Sequence, residues 1–251
     1  MLKKGEVTIG GWVQIGHPEI AEIMAEIGFD WIVFDMEHAP LSFETTQNLI
    51  QAIKCTESIP LVRVAWNDPV LVKCALDIGA YGVIIPWVTN KDEALKAVRS
   101  CKYPLKGIRG FGPRRASKYG IKLNEYIATA DQEIMTVIQI ETIEAFYNIK
   151  EILSINGIDA FFIGPNDLAA SMGLIGQPNH PKVQEIIQKI LNEGKKAGVP
   201  AGIAAFTPEA AIEYAKKGFQ FIQLMTDTDI FVQACIKILR KVREGIKFSN
   251  I

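Results

Sequence analysis

Residues 28–65 read GFDWIVFDMEHAPLSFETTQNLIQAIKCTESIPLVRVA. Within them, 31–35 is a nearly unbroken apolar run, the pattern of a strand covered on both faces. Ser42 then caps a helix to about Thr56, and Glu44 puts acid in its first turn. A second apolar run of strand length fills 59–65. Two covered strands joined by a helix form a parallel unit, because a parallel pair needs a long crossover.

The same unit repeats outward from this stretch. Upstream, 7–14 is a strand and 18–27 a helix, with Pro18 in its first turn and Gly28 at its end. Downstream, strands are expected at 81–86, 134–140, 160–164, 200–204 and 219–225. Helices are expected at 68–79, 91–101, 124–130, 142–153, 180–197, 208–217 and 229–244. Eight strand–helix units in strict alternation predict an α/β fold, a (β/α)8 TIM barrel, as one domain over 1–251. The alternative, a doubly wound open sheet, often carries a glycine-rich turn after its first strand. Gly10-Gly11 is not a GxGxxG, and no Walker A sequence occurs. The rhythm breaks once, at 103–120, where glycines and prolines surround Arg109, Arg114 and Arg115. Such an insertion is expected to be functional or mobile, with 111–116 covering the site.

Composition excludes several classes. The chain has 251 residues, 49% hydrophobic and 22% charged, too apolar for disorder. Lys and Arg number 27 against 28 Asp and Glu, so there is no basic excess for nucleic acid. No apolar run approaches the roughly 18 residues that span a bilayer, and 1–10 lacks a secretory apolar segment. Cys55, Cys74, Cys101 and Cys235 form no CxxC pair, which argues against a zinc cluster or a disulfide framework. They are expected to be buried small apolar residues, Cys101 being the candidate surface thiol. A cytoplasmic protein is expected.

A barrel places its chemistry at the C-terminal ends of its strands. Those ends carry Asp35-Met36-Glu37-His38, Arg63 followed by Trp66-Asn67, Gln139-Ile140-Glu141 and Gly164-Pro165-Asn166-Asp167. The other ends offer Trp87, Phe206 and Met225-Thr226. Glu141 and Asp167 make a hard, oxygen-rich pair suited to Mg2+ or Mn2+, with Co2+ also compatible. The competing reading makes each a helix cap. His38, beside two acids, reads as a general base, whereas His17 and His180 precede prolines and read as structural. Arg63 interrupts an apolar strand, so it must be paired or face the barrel mouth, where it could stabilise an oxyanion. Asp77, near a helix end, reads as an ordinary exposed charge.

Together these motifs resemble the HpcH/HpaI aldolases, metal-dependent class II pyruvate aldolases of 2-keto-3-deoxy sugar acids and 4-hydroxy-2-oxo acids. The matching pieces are FDMEHAP (34–40), VR (62–63), WNDP (66–69), GIRG (107–110), QIET (139–142) and FIGPNDL (162–168), in family order over nearly the whole chain. The resemblance implies that Glu141 and Asp167 are the metal ligands and that Gln139 contacts substrate. It implies that His38 is the base, acting through a metal-bound water, and that Arg63 stabilises the enolate. Asp77 matches the acid that raises the basicity of that histidine, reaching across a subunit boundary. Asn166 and Asp167 would offer backbone N–H groups to the pyruvate carboxylate. Asp35 and Glu37 would support the histidine.

The implied reaction cleaves a 4-hydroxy-2-oxo acid to pyruvate and an aldehyde, with the cation as Lewis acid at the C2 oxygen. The implied assembly swaps the last helix onto a neighbour, in a hexamer built as a trimer of dimers. Phe206 is expected to reshape the aldehyde side. A Schiff-base aldolase would need a lysine in the mouth, and Lys91 is the nearest candidate. A CoA-thioester lyase of the citrate lyase β branch would need a nucleotide-binding surface. A non-catalytic barrel would not need His38, Arg63, Glu141 and Asp167 together.

Overall fold

A computed structural model describes residues 2–248. After a short 3-10 turn, Leu2–Lys4, the first half runs β1 (Thr8–Val13), α1 (Pro18–Ile27), β2 (Trp31–Asp35), α2 (Phe43–Ala52), β3 (Ile59–Arg63), α3 (Pro69–Asp77), β4 (Gly82–Ile85) and α4 (Lys91–Cys101). Then come α5 (Leu123–Glu133), β5 (Met135–Ile140), α6 (Ile143–Tyr147), α7 (Ile149–Leu153), β6 (Ala160–Ile163) and α8 (Pro165–Ser171). The chain closes with α9 (Pro181–Ala197), β7 (Ala201–Ala205), α10 (Pro208–Lys217), β8 (Phe221–Thr226) and α11 (Asp227–Phe248). The eight strands pair in parallel, in chain order, and β8 returns to β1, so the barrel is closed. Each expected strand lies within two residues of the observed one. The single helix expected over 142–153 is two, broken at Asn148, whose side chain donates to the Thr89 carbonyl at 2.9 Å.

Strand alternation divides the barrel into an outer and an inner core. Outward residues such as Ile32, Phe34, Val62 and Ile138 pack under the helices. Inward residues Trp12, Trp31, Phe162 and Phe221 fill the barrel, Trp31 stacking on Phe221 at 4.0 Å between ring centroids. Gly10 makes room for them, since a Cβ there would stand 2.0 Å from the Trp31 ring. The same inward parity, continued upward, gives Asp35 above Val33, Arg63 above Leu61, and Gln139 and Glu141 above Val137. Register puts Asp35 beside Arg63.

Helix starts follow the polar residues that precede them. Ser42, Asp68, Asn90 and Thr207 accept from first-turn amides. His17 and His180 do the same through Nδ1, which confirms their structural reading. The cysteine expectation is reversed: Cys101 is buried, while Cys55 and Cys235 are exposed. Cys101 ends a helix that packs its apolar face inward, whereas Cys55 follows α2 in a turn.

Two further expectations are corrected. The insertion does not cover the mouth of its own barrel. It leaves the C-terminal end of α4, which topology places beside the strand N-termini. There the amides of Arg115 and Ala116 donate to the Asp77 carbonyl, and Arg115 Nη1 donates to the Ile78 carbonyl at 3.0 Å. Nor is Asp77 an ordinary exposed charge. Its carboxylate accepts from the fully buried Arg109 at 2.6 Å, and Arg109 lies over the Tyr103 ring at 4.6 Å. Burial pushes the Asp77 carboxyl up, and Arg109 offsets only part of that.

Candidate active site

The strand ends meet in a cavity of about 130 Å³ at the C-terminal mouth of the barrel. His38, Arg63, Gln139, Asn166 and Asp167 line it, with Trp12, Gln14, Phe206 and Gln223 on the opposite side. Five of the expected site residues are therefore together. Asp77 is not among them, because it closes α3 at the other end of the barrel.

Asp35 and Arg63 form the rigid part. Asp35 is fully buried at the end of β2; its two oxygens accept from Arg63 Nε at 2.9 Å and Nη2 at 2.7 Å. Gln14 Nε2 and the amides of Glu37 and His38 donate to the same carboxylate. Burial alone would raise the Asp35 carboxyl, but the Arg63 guanidinium and these donors hold it below its usual range. Glu37 Oε2 lies 3.0 Å from Arg63 Nη1 and 3.9 Å from His38 Nε2. Burial pushes Glu37 up to about 7 despite Arg63, with the charges of Asp35 and Asp167 adding to the rise. Arg63 has five N–H groups, and these contacts leave some of them free to meet a ligand. His38 is more than half exposed at the rim, open to whatever enters.

Glu141 and Asp167 face each other over Gly164. A Cβ on Gly164 would stand 3.0 Å from Glu141 Oε2 and 3.5 Å from Asp167 Oδ2, so the glycine leaves the space that both carboxylates share. Neither is a helix cap. Thr142 caps α6 by accepting from the Ala145 amide, and Gly164 holds the N-cap of α8 without a side-chain bond. Glu141 accepts instead from Gln139 Nε2 at 2.6 Å and from the Trp87 amide at 2.7 Å. Burial pushes Glu141 up to about 7, reinforced by Glu37 and Asp167 and opposed by the Trp87 amide. Two converging carboxylates and the unpartnered Oε1 of buried Gln139 fit a hard cation that keeps oxygen ligands from water or substrate. Among the described residues no group of three His, Cys, Asp or Glu forms a closed metal cage, and the cavity lining has no lysine for a Schiff base.

A family model, HpcH/HpaI aldolase/citrate lyase, matches residues 8–234. The chain belongs to the HpcH/HpaI aldolase/citrate lyase family. It is 40% identical over 240 residues to a 2-dehydro-3,6-dideoxy-6-sulfogluconate aldolase of Pseudomonas putida, covering 95% of this chain and 94% of that protein. It is also 40% identical over 235 residues to a 4-hydroxy-2-oxo-heptane-1,7-dioate aldolase of Shigella flexneri, covering 93% and 88%. The crystal structure of a family protein from Burkholderia cenocepacia superposes with a TM-score of 0.92 at 34% identity, covering 96% of this chain and 98% of that one.

At this HpcH/HpaI site, sequence reasoning placed Trp87 at a strand end without giving it a role, and it missed Gln14. Trp87 acts through its backbone: at φ 55° it is in the left-handed region, uncommon for so bulky a residue, and its N–H reaches Glu141. Nothing in a sequence marks such a position. Gln14 had a signal, since it continues the inward parity of Gly10 and Trp12.

Proposed function

We propose that this chain is a divalent-metal-dependent class II aldolase that reversibly cleaves 4-hydroxy-2-oxo acids to pyruvate and an aldehyde. The observation that carries this reading is the convergence of Glu141 and Asp167 over Gly164, beside the Asp35–Arg63 pair. The aldolase relatives support the same reaction class. Glu141 and Asp167 would hold Mg2+, Mn2+ or Co2+, which supplies Lewis-acid stabilisation of negative charge on a 2-oxo acid.

The chain's own residues do the rest. Gln139 and the amides of Asn166 and Asp167 orient the pyruvyl half. His38, exposed at the rim, takes the proton of the 4-hydroxyl as the C3–C4 bond breaks and the aldehyde leaves, and a proton delivered to C3 of the remaining enolate completes pyruvate. Arg63, held in place by Asp35, turns its remaining N–H groups toward the charge left on the C2 oxygen. Asp35 and Glu37 fix Arg63 and border His38. Pyruvate release from a 4-hydroxy-2-oxo acid, assayed with Mn2+ and then with chelator, tests the proposal. Activity that survives complete chelation would overturn it.

The assembly reading also belongs here. Helix α11 meets β1 and β8 at its start, yet Phe231, Val232, Ile236, Ile238, Leu239, Val242 and Ile246 are exposed. Its own barrel leaves these side chains uncovered among the described residues. Ile23 and Ile27 of α1 and Ile212 of α10, which flank β1 and β8, are exposed too. A partner's α11 would cover them, in a dimer grouped into a hexamer, and would allow Asp77 of one chain to approach His38 of another. Light scattering that found an active monomer would refute this. The unpaired cysteines support a cytoplasmic location.

A further inference from the structure

The Asp35–Arg63 pair is also gripped from the far end of the chain. Gln14 follows β1 and lines the cavity, and its side-chain amide stands between two polar groups. Nε2 donates to Asp35 Oδ2 at 3.0 Å, and Oε1 accepts from the Thr228 hydroxyl at 2.8 Å. Chemistry dictates this direction: an ionised carboxylate only accepts, so the nitrogen faces Asp35 and the oxygen faces Thr228. Thr228 belongs to the first turn of α11. Asp227 before it is buried, and its carboxylate accepts from the backbone amides of Gln14 at 3.0 Å and Ile15 at 2.9 Å. The start of α11 therefore holds both the backbone and the side chain of Gln14. That start is itself braced. Thr226 Oγ1 accepts from the Asp229 amide at 3.0 Å, and the Asp229 carboxylate accepts from the Thr226 amide and hydroxyl, a reciprocal cap. Met225, just before it, sits at φ 58°, a left-handed conformation that persists only where the surroundings hold it.

What Gln14 fixes is a rotation. The terminal torsion of an aspartate is broad, so the donors around the Asp35 carboxylate set its plane. Oδ1 accepts from Arg63 Nε and from the amides of Glu37 and His38. Oδ2 accepts from Arg63 Nη2 and from Gln14. Without Gln14, Oδ2 would be held among the described residues by Arg63 alone, and the planar carboxylate–guanidinium pair could rock as a unit. The N–H groups that Arg63 keeps for a ligand would lose their aim, while the charges of the pair stay the same.

We propose that Gln14 is a positioning residue: it ties the first turn of α11 to Asp35 and so fixes the angle at which Arg63 meets the charge on the substrate. This rests on the aldolase reading.

The test is a double-mutant cycle, because a residue that works through Arg63 has no effect once Arg63 is gone. It reads kcat for cleavage of a 4-hydroxy-2-oxo acid, and the Kd of oxalate, a planar dianion like pyruvate enolate, on the Mn2+-loaded enzyme. Gln14→Met keeps the length of the side chain and removes its hydrogen bonds. It should lower kcat and raise the oxalate Kd about three- to tenfold, the scale of one hydrogen bond. Mn2+ affinity, titrated by electron paramagnetic resonance, should not change. In Arg63→Ala, the same exchange should change the oxalate Kd by less than about twofold. Thr228→Val frees the amide without altering Gln14, so it should shift both readouts the same way by less. Added to Gln14→Met, it should cost nothing more. If Gln14→Met does not fold, the cycle of Thr228→Val with Arg63→Ala decides by the same criterion. Equal losses with and without Arg63 would overturn the proposal, as would wild-type kcat and oxalate affinity in Gln14→Met. Oxalate binding that follows the cycle in an enzyme that cleaves no 4-hydroxy-2-oxo acid would keep the link and remove the aldolase. An enzyme that neither binds oxalate nor cleaves would remove both.

Discussion

The two halves of the barrel mouth are built in opposite ways. The half from β2, β3, β5 and β6 is charged and cross-braced: Asp35 grips Arg63 at two points, and Gln139 and Trp87 hold Glu141. The half from β1, β7 and β8 is neutral, lined by Trp12, Gln223 and Phe206, with the Trp12 indole N–H unpartnered among the described residues. A braced, charged half suits the part of a substrate that never varies, because fixed dipoles need no rearrangement during reaction. An open, neutral half suits the part that varies. The contrast teaches that donor and acceptor recognition can be altered separately.

The strongest way to break this contrast is to remove the proposed metal ligands. Glu141→Ala or Asp167→Ala should lower aldol cleavage by about 10³-fold or more for every aldehyde alike. Circular dichroism should show the fold intact. A variant that lost one aldehyde and kept another would mean that the halves are not separate.

His38→Ala should cost about 10²- to 10⁴-fold in C–C cleavage, read by steady-state kinetics. Arg63→Lys should not fully rescue Arg63→Ala, since the planar fork that Asp35 grips at two points is lost. Full activity of Arg63→Lys would show that only the charge matters.

A smaller effect is expected on the neutral side. Phe206 follows β7 on the cavity wall. Phe206→Ala should change the kcat/KM ratio between a short and a bulky aldehyde by about tenfold, the scale of one hydrophobic contact. Pyruvate KM should change less than that ratio.

The smallest effect concerns stability and pH. Glu37 has its carboxyl raised from 4.5 to about 7 by burial. The folded state therefore holds this proton more tightly than the unfolded one. The stability this gives is complete below about pH 4.5 and is lost as pH rises through about 7. The loss is on the order of 3 kcal/mol. In chelator, wild type should lose thermal stability relative to Glu37→Gln between pH 5 and pH 8. Parallel curves would show that Arg63 compensates Glu37 fully.

The fold was largely legible, because parallel strands covered on both faces write themselves as apolar runs with helices between. Asp35, Arg63, Gln139 and Glu141 were legible for a related reason: each is a polar residue at the top of such a run. The insertion was misplaced because a sequence shows that the rhythm breaks without showing at which barrel end. That end could have been counted, since the crossover that follows each strand in this fold runs back toward the strand N-termini. Gln223 was overlooked inside an apolar run, although it shares the parity of Phe221. The partner of Asp77, Arg109, lies 32 residues further along the chain, a pairing that packing alone reveals.

The aromatic filling of the barrel also has an evolutionary consequence. Trp12 is part of the cavity wall, and its ring packs against Phe162 at 5.2 Å and Trp31 at 6.3 Å. Trp31 in turn occupies the space beside Gly10. Deepening the pocket would require several of these residues to shrink together, each step leaving a void before it yielded room. Adaptation to longer substrates is therefore steered into the rim loops after β7 and β8, where a single exchange can lengthen the pocket. The barrel interior thus works as a fixed ruler, and lineages of this enzyme should diverge at the rim while the floor stays the same.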